Sequence, residues 1–361
     1  MGAITWQPEF ILRPFTLLRN RLIKSKKMLQ KNNIRPISGE YFANRCDFNL
    51  GDQAGIHNGF PNHVFEEANL QNEKLTKFLT EQASSRSRQK VITLFIDNIR
   101  LTGLMPIRYK ATDKSYLTAL IARNNLFKVI EAFPTLNFII FCALEDTEID
   151  SRVSTLIPQN ILKIHAVNAF TSSPRVQALP NGIQRPIDLD NSYHEFVYKY
   201  LNNRKRDLIR RIRAKSQTSS LLFVSINVGT NPERKNIQEF FMGKKWVKIQ
   251  GKRLKRGDYL KKLHQYPFTL CPQGNALGDT HREWEALYTG SVPVLERTPY
   301  LEEIHKGNPV LFVDKFQELT REKLTQHLYL FEELRHFDLS TWDADRLYAR
   351  RVMESIINNS S

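Results

Sequence analysis

Between residues 268 and 296 the chain reads FTLCPQGNALGDTHREWEALYTGSVPVLE, which sets a strand, a glycine-bearing loop, a capped helix and a second strand in one short frame. Phe268, Thr269, Leu270 and Cys271 form an apolar, β-favouring run that Pro272 closes, and the loop behind it carries Gly274, Asn275 and Gly278. Such a loop brings bare backbone close to a ligand. Thr280 followed three residues later by Glu283 is a capping box, so Thr280 is the expected N-cap, His281 and Arg282 fall in the first turn, and Gly290 ends the helix. Cations at the positive end of a helix oppose its dipole by a few tenths to about 1 kcal/mol each, so they call for an anion in front of them. A nucleotide diphosphate meets that requirement. Glu285, one turn behind Arg282 on the same face, is set to hold a ribose hydroxyl pair, while Trp284, Leu287 and Tyr288 are available to pack on a sheet. The alternative is that Arg282 and Glu285 merely pair with each other on a solvated surface.

This frame resembles the donor-site signature of exostosin-type glycosyltransferases, through Cys271, Pro272, Gly274, Arg282, Glu285, Ala286, Leu287, Gly290, Pro293 and Val294. The resemblance implies an α/β protein of GT-B fold: two Rossmann-like domains whose mostly parallel sheets face an interdomain cleft. It also implies a nucleotide-sugar donor and a glycan, glycolipid or protein-glycan acceptor. Retaining enzymes of the wider fold carry another Glu eight residues before the one matched by Glu285; Leu277 stands there, which favours an inverting reaction. Two further segments extend the likeness. Residues 137–146, NFIIFCALED, end where relatives carry a His-Asn-Ser-Asp tetrapeptide, of which Asp146 alone is retained. In residues 163–184, Asn168, Pro180 and Gly182 match, and Asn181 replaces an Ile.

A length of 361 residues suggests two domains. No apolar run approaches 18 residues and no secretory signal is visible, and Cys46, Cys142 and Cys271 are widely spaced, so the expectation is a cytoplasmic protein with buried thiols. A net charge of +16 demands an anionic partner class: nucleic acid, membrane, or phosphorylated substrate. Basic residues gather at 19–35, 204–215 and 244–262, yet no RNA- or DNA-binding module is present, so no specific nucleic acid is expected. The first cluster mixes Leu17, Leu18, Leu22 and Ile23 with Arg19, Arg21, Lys24, Lys26 and Lys27. It fits peripheral contact with a membrane, or equally a basic helix packed on the first domain.

Along the chain, residues 91–96, 138–144, 161–167 and 176–179 read as strands, with a helix over 115–133, giving a βαβ rhythm. Residues 193–215 are helix-like and basic, and 219–227 opens a second series whose strands are 246–250, 268–271, 292–295 and 310–313. The expected division is an acceptor-binding domain over 1–192, a basic linker over 193–217 and a donor-binding domain over 218–340. By resemblance, the terminal segment 341–361 returns to the first domain as a helix.

The loop after strand 219–227 leads to Arg234 and Lys235, which are positioned to neutralise a departing diphosphate; surface solvation is their alternative. Side-chain charge then replaces a metal, and no metal or other cofactor is expected, since Asp188 and Asp190 fall in a connector. Inversion needs a general base in the first domain. Asp146, with Glu145 beside it, is favoured by resemblance, and helix-capping acids are the alternative. His57 and His63, in a polar loop with Asp52, form a weaker acceptor-side cluster. His281 is set to touch the diphosphate or base, and Asp279 to bind or to brace the loop. The competing reading is a nucleic-acid or anionic-surface binding protein on a degenerate nucleotide fold. A third is another nucleotide-dependent transferase, though a P-loop lysine is lacking.

Overall fold

A computed structural model describes residues 37–51, 63–84, 90–103, 113–143, 147–183, 220–229, 231–336 and 343–357. The first sheet contains β1 (Phe48–Asn49), β2 (Lys90–Asp97), β3 (Leu136–Ala143), β4 (Ile161–Ala166) and β5 (Val176–Ala178), all parallel and in sequence order. Right-handed crossovers that always step the same way lay every connecting helix on one face. Accordingly Leu75 and Leu79 of helix His63–Ser84, and Leu126 and Ile130 of helix Asp113–Glu131, cluster with Leu94, Ile96, Phe138, Ile140 and Cys142. The alternate residues Phe95, Ile139, Phe141 and Ala143 point the other way by the two-residue period of a strand. That second face needs a cover from elsewhere in the chain. Phe42 of the short helix Gly39–Ala43 stacks on Phe141 at 5.5 Å, and Tyr348 of the last helix, Ala344–Ile357, stacks on it at 5.0 Å.

The second sheet contains β6 (Leu222–Val224), β7 (Val247–Ile249), β8 (Phe268–Leu270), β9 (Val292–Glu296) and β10 (Leu311–Val313), again all parallel, in the order β10-β9-β8-β6-β7. From β6 the chain steps one way to β7 and then crosses back to β8 on the other side. The strand order therefore reverses at β6 and β8, and open α/β sheets gather ligands at such a switch point, beyond the carboxyl ends of the strands. Two parallel five-stranded sheets with helices are the architecture expected from the sequence.

The expected strands appear with small shifts at their ends, while 219–227 shrinks to three residues because the chain beyond Val224 leaves the ladder to form the loop toward Arg234. Helix His63–Ser84 starts within what reads as a polar loop, so His63 is a helix-end residue. Asp52, His57, Glu145, Asp146, Asp188, Asp190 and the basic segments 19–35 and 204–215 lie outside the described residues. Among the described residues no helix is long and apolar enough to cross a membrane.

The last helix bonds to the helix Gly39–Ala43, to the turn after it, and to β4 and β5. Asp345 accepts from Tyr41 and Arg45, Arg351 Nη2 donates to the Ala178 carbonyl at 3.3 Å, and Ser355 Oγ meets His165 Nε2 at 2.9 Å. Burial and the nearby Arg351 push His165 down to about 3, so this imidazole is neutral.

Candidate functional site

Two loops meet at the switch point. One follows β6 and leads into helix Glu233–Phe241; the other follows β8 and leads into helix His281–Thr289. Asn231 Nδ2 donates to the Gly274 carbonyl at 3.3 Å and ties them together. Arg234 ties them more tightly: its Nε donates to the Gln273 carbonyl at 2.7 Å, Nη2 to Pro272 at 2.9 Å and Nη1 to Asn227 at 3.3 Å. The fork of one buried guanidinium thus holds both loops. Desolvation, and then the neighbouring charge of Arg282, push Arg234 down to about 10. Lys235, the next residue, is exposed and lies 3.9 Å from Glu239.

Helix His281–Thr289 has the expected ends. Thr280 is its extended N-cap, and Gly290 closes it in the left-handed conformation at φ 78. The capping box is built differently from its ideal. Thr280 Oγ1 lies 3.3 Å from Glu283 Oε2, and no side-chain oxygen caps the backbone of the first turn. Glu283 is instead buried against His305, Oε1 to Nε2 at 2.9 Å, and burial raises it to about 8. Burial also lowers His305 to about 4, and Asn308 Nδ2 lies 3.2 Å from its Nδ1. A neutral imidazole accepting from that amide carries its proton on Nε2, so His305 donates to Glu283.

Arg282 occupies the first turn, half-buried, and among the described residues its side chain makes no hydrogen bond or ion pair; its Nε is buried without a partner. Its charge is felt by Arg234 and by the thiol of Cys271 at the end of β8, which burial drives well above its usual value and Arg282 pulls back down. The surface pairing of Arg282 with Glu285 does not form, and Glu285 is itself buried. Trp284, Leu287 and Tyr288 are buried as the helix periodicity expects.

The residues beside Arg282 reach the segments that follow β4 and β5. His281 Nδ1 lies 2.7 Å from the Gly182 carbonyl, which fixes Nδ1 as a donor. Asp279, fully buried, accepts from the Asn181 amide at 2.7 Å, from Trp284 Nε1 at 2.6 Å and from the Tyr300 hydroxyl at 3.2 Å. Burial, and then the nearby Glu283, raise it to about 6. It braces the loop against the segment that follows β5. Tyr300 also accepts from the Asn168 amide at 3.2 Å, and Asn168 is held at φ 58. These contacts explain Gly278, because a Cβ there would fall 2.1 Å from Asn168 Oδ1. A Cβ at Gly274 would meet only ordinary contacts, 3.6 Å from Arg234 Nη2, so the protein itself does not require glycine at that position. Asn275 is exposed on the same loop.

The structure therefore gathers Arg234, Gly274, Asn275, Asp279, His281, Arg282 and Glu285 about one loop and one helix, and leaves Lys235 on the outer surface. Sequence reasoning missed Tyr300, His305 and Asn181 as partners of this region. Only Trp284, within a turn of Asp279, had a local signal.

No protein-family model matches the chain, and no curated protein matches its sequence. Among solved structures, an alpha1,3-fucosyltransferase aligns at 14% identity over 83% of this chain and 80% of its own, with a TM-score of 0.35. A UDP-forming alpha,alpha-trehalose-phosphate synthase from Burkholderia vietnamiensis aligns at 11% identity over 81% of this chain and 79% of its own, with a TM-score of 0.34. WaaG, a glycosyltransferase involved in lipopolysaccharide biosynthesis, aligns at 11% identity over 84% of this chain and 98% of its own, with a TM-score of 0.35.

Proposed function

We propose that the protein is a glycosyltransferase of exostosin type that moves a sugar from a nucleotide-sugar donor to a glycan, glycolipid or protein-glycan acceptor. One observation carries the reading: Arg282, unpartnered among the described residues, stands in the first turn of a helix that opens at the reversal of strand order, within the field of a second guanidinium, Arg234. The two guanidinium charges repel each other, and an anion bound between them relieves that repulsion. The pyrophosphate of the donor is that anion in this reading, and Glu285 holds the ribose. Residues 218–340 take the donor and 1–192 the acceptor, with 193–217 as linker and 341–361 returning to the first domain. The protein works in the cytoplasm, in peripheral contact with a membrane.

In the reaction the acceptor hydroxyl oxygen attacks the anomeric carbon, and the bond from that carbon to the diphosphate oxygen breaks. Asp146, with Glu145 as its neighbour, is the proposed base that takes the hydroxyl proton. Attack opposite the leaving group inverts the anomeric centre, in keeping with Leu277 where a retaining enzyme carries Glu. Negative charge grows on the departing diphosphate, and Arg282, His281 and the helix N-terminus supply donors and positive charge without a metal.

Thermal unfolding in the presence of UDP, GDP and TDP tests the donor site. Millimolar nucleotide at micromolar affinity adds about 4 kcal/mol to stability. Protection by one of them, lost in Arg282→Ala, is the expected result. Asp146→Asn should keep that protection and lose sugar transfer. If no nucleotide protects while random RNA binds with a steep salt dependence, the reading fails in favour of a nucleic-acid binding protein.

A further inference from the structure

The basic cluster at 244–262 takes no part in the site described above. It holds nine Lys and Arg against Asp258 alone, a net +8, which is half of the whole chain's +16. Its centre is β7, which among the described residues pairs only with β6 and so forms one edge of the second sheet. Lys248 is exposed in the middle of that strand, between the half-buried Val247 and Ile249. Lys245 is exposed before it, and Lys252, Arg253 and Lys255 are exposed after it. Among the described residues the side chains of these five make no hydrogen bond or ion pair. Asp258, the one acid, is engaged by Lys261 at 3.3 Å.

Lysines often guard an edge strand against pairing with another chain. A strand of three residues needs little guarding, and only Lys248 lies within it. The rest extend the charge beyond both ends. An apolar residue stands at the border of this field: Met242, at the end of helix Glu233–Phe241, is 63% exposed, followed by Gly243 at φ 78 and by Lys244, whose Nζ sits 4.2 Å from the Phe240 ring centroid. The cluster contains seven Lys and two Arg. Lysine is a mobile point charge suited to a diffuse anionic surface, whereas planar, bidentate reading of phosphates favours arginine. A protruding apolar side chain beside lysines suits the headgroup boundary of a bilayer.

We infer that the edge of the second sheet, from Met242 through Lys255, is a docking face for an anionic lipid bilayer. This does not depend on the sugar-transfer reading. Full-length protein is sedimented with vesicles of phosphatidylcholine alone, with vesicles carrying roughly 30% phosphatidylserine, and separately incubated with a random RNA oligomer. The anionic vesicles should capture the protein at low salt, the neutral ones should not, and high salt should release it. Each lysine is worth roughly 5-fold in binding, so the combined Lys245→Glu, Lys248→Glu, Lys252→Glu and Lys255→Glu variant should bind more than about 100-fold more weakly. Its thermal midpoint should stay unchanged, since these side chains have no partners to lose. Met242→Ser should weaken capture by anionic vesicles by a few fold. Vesicle binding by the four-site variant equal to that of the parent overturns the proposal, as does equal capture by neutral vesicles. RNA capture without vesicle capture, abolished in the same variant, overturns it by making the face a nucleic-acid surface.

Discussion

Arg234 and Arg282 share one end of the second sheet, and their side chains stand in opposite situations. Arg234 spends its donors on the carbonyls of Asn227, Pro272 and Gln273, whereas Arg282 has no hydrogen-bond partner among the described residues. Removing Arg234 strands buried carbonyls, so Arg234→Ala should lower stability by about 2–4 kcal/mol, read by chemical denaturation. Arg282→Ala strands nothing. Its unfolding midpoint in the absence of ligand should equal or exceed that of the parent, because it also relieves repulsion with Arg234, while nucleotide affinity should fall at least about 10-fold. Glu283 and His305 give a pH signature. A buried carboxyl near 8 binds more protons folded than unfolded, so its contribution to stability is complete below its unfolded value and is lost as pH rises through 8. His305, held near 4, works in the opposite direction, but only below the ordinary histidine range. Asp279, raised to about 6, adds a fall of the same sign that is spent by about pH 7, so between about pH 7 and 8 the Glu283 effect dominates, with a slope of up to about 1.4 kcal/mol per pH unit. The thermal midpoint should fall over that window, and Glu283→Gln should flatten the fall.

Among the elements, the helix His281–Thr289 is legible in the sequence because its signals are local: Thr280 before it, a buried-face period through Trp284, Leu287 and Tyr288, and Gly290 after it. Its docking was not readable. The contacts of Asp279 with Asn181 and of His281 with Gly182 join residues about a hundred positions apart, and no pattern in either segment encodes the other. Gly278 shows the difference well. In sequence it reads as a residue that admits a ligand, yet the nearest atom to its missing Cβ is Asn168 Oδ1, just after β4. Gly278→Val should therefore push its loop away from Asn168 and Tyr300. The expected outcome is faster proteolysis at this loop and weaker nucleotide protection, with secondary structure unchanged by circular dichroism. Gly274→Ala should leave stability within about 0.5 kcal/mol, since its Cβ has room.

For the whole molecule, the monotonic strand order of the first sheet has a consequence that no single element reveals. The described helices between its strands lie on one face, and the other face is covered in part by residues from the two ends of the described chain, Phe42 on one side and Ala344, Leu347, Tyr348 and Val352 on the other. Truncation before Ala344 should expose Phe141 and its neighbours, leave the buried His165 without Ser355, and lower the temperature at which the protein aggregates, seen by light scattering during a thermal ramp. Asp345→Ala, which removes the carboxylate that Tyr41 and Arg45 share, should do the same more mildly, by about 1–3 kcal/mol. Local sequence sufficed for the two series of strands and helices, the helix at residue 281 with both its ends, and the positive charge gathered beside it. These follow from side-chain period, capping and steric freedom, which act over a few neighbouring residues. Tertiary structure alone decided that Arg234 clamps two loops while Arg282 stays unpartnered, that Glu283 belongs to His305, and that the last helix closes the first sheet. Those outcomes depend on which buried polar groups find each other when two sheets pack, and burial raises the cost of leaving any of them unpaired only once the chain is folded.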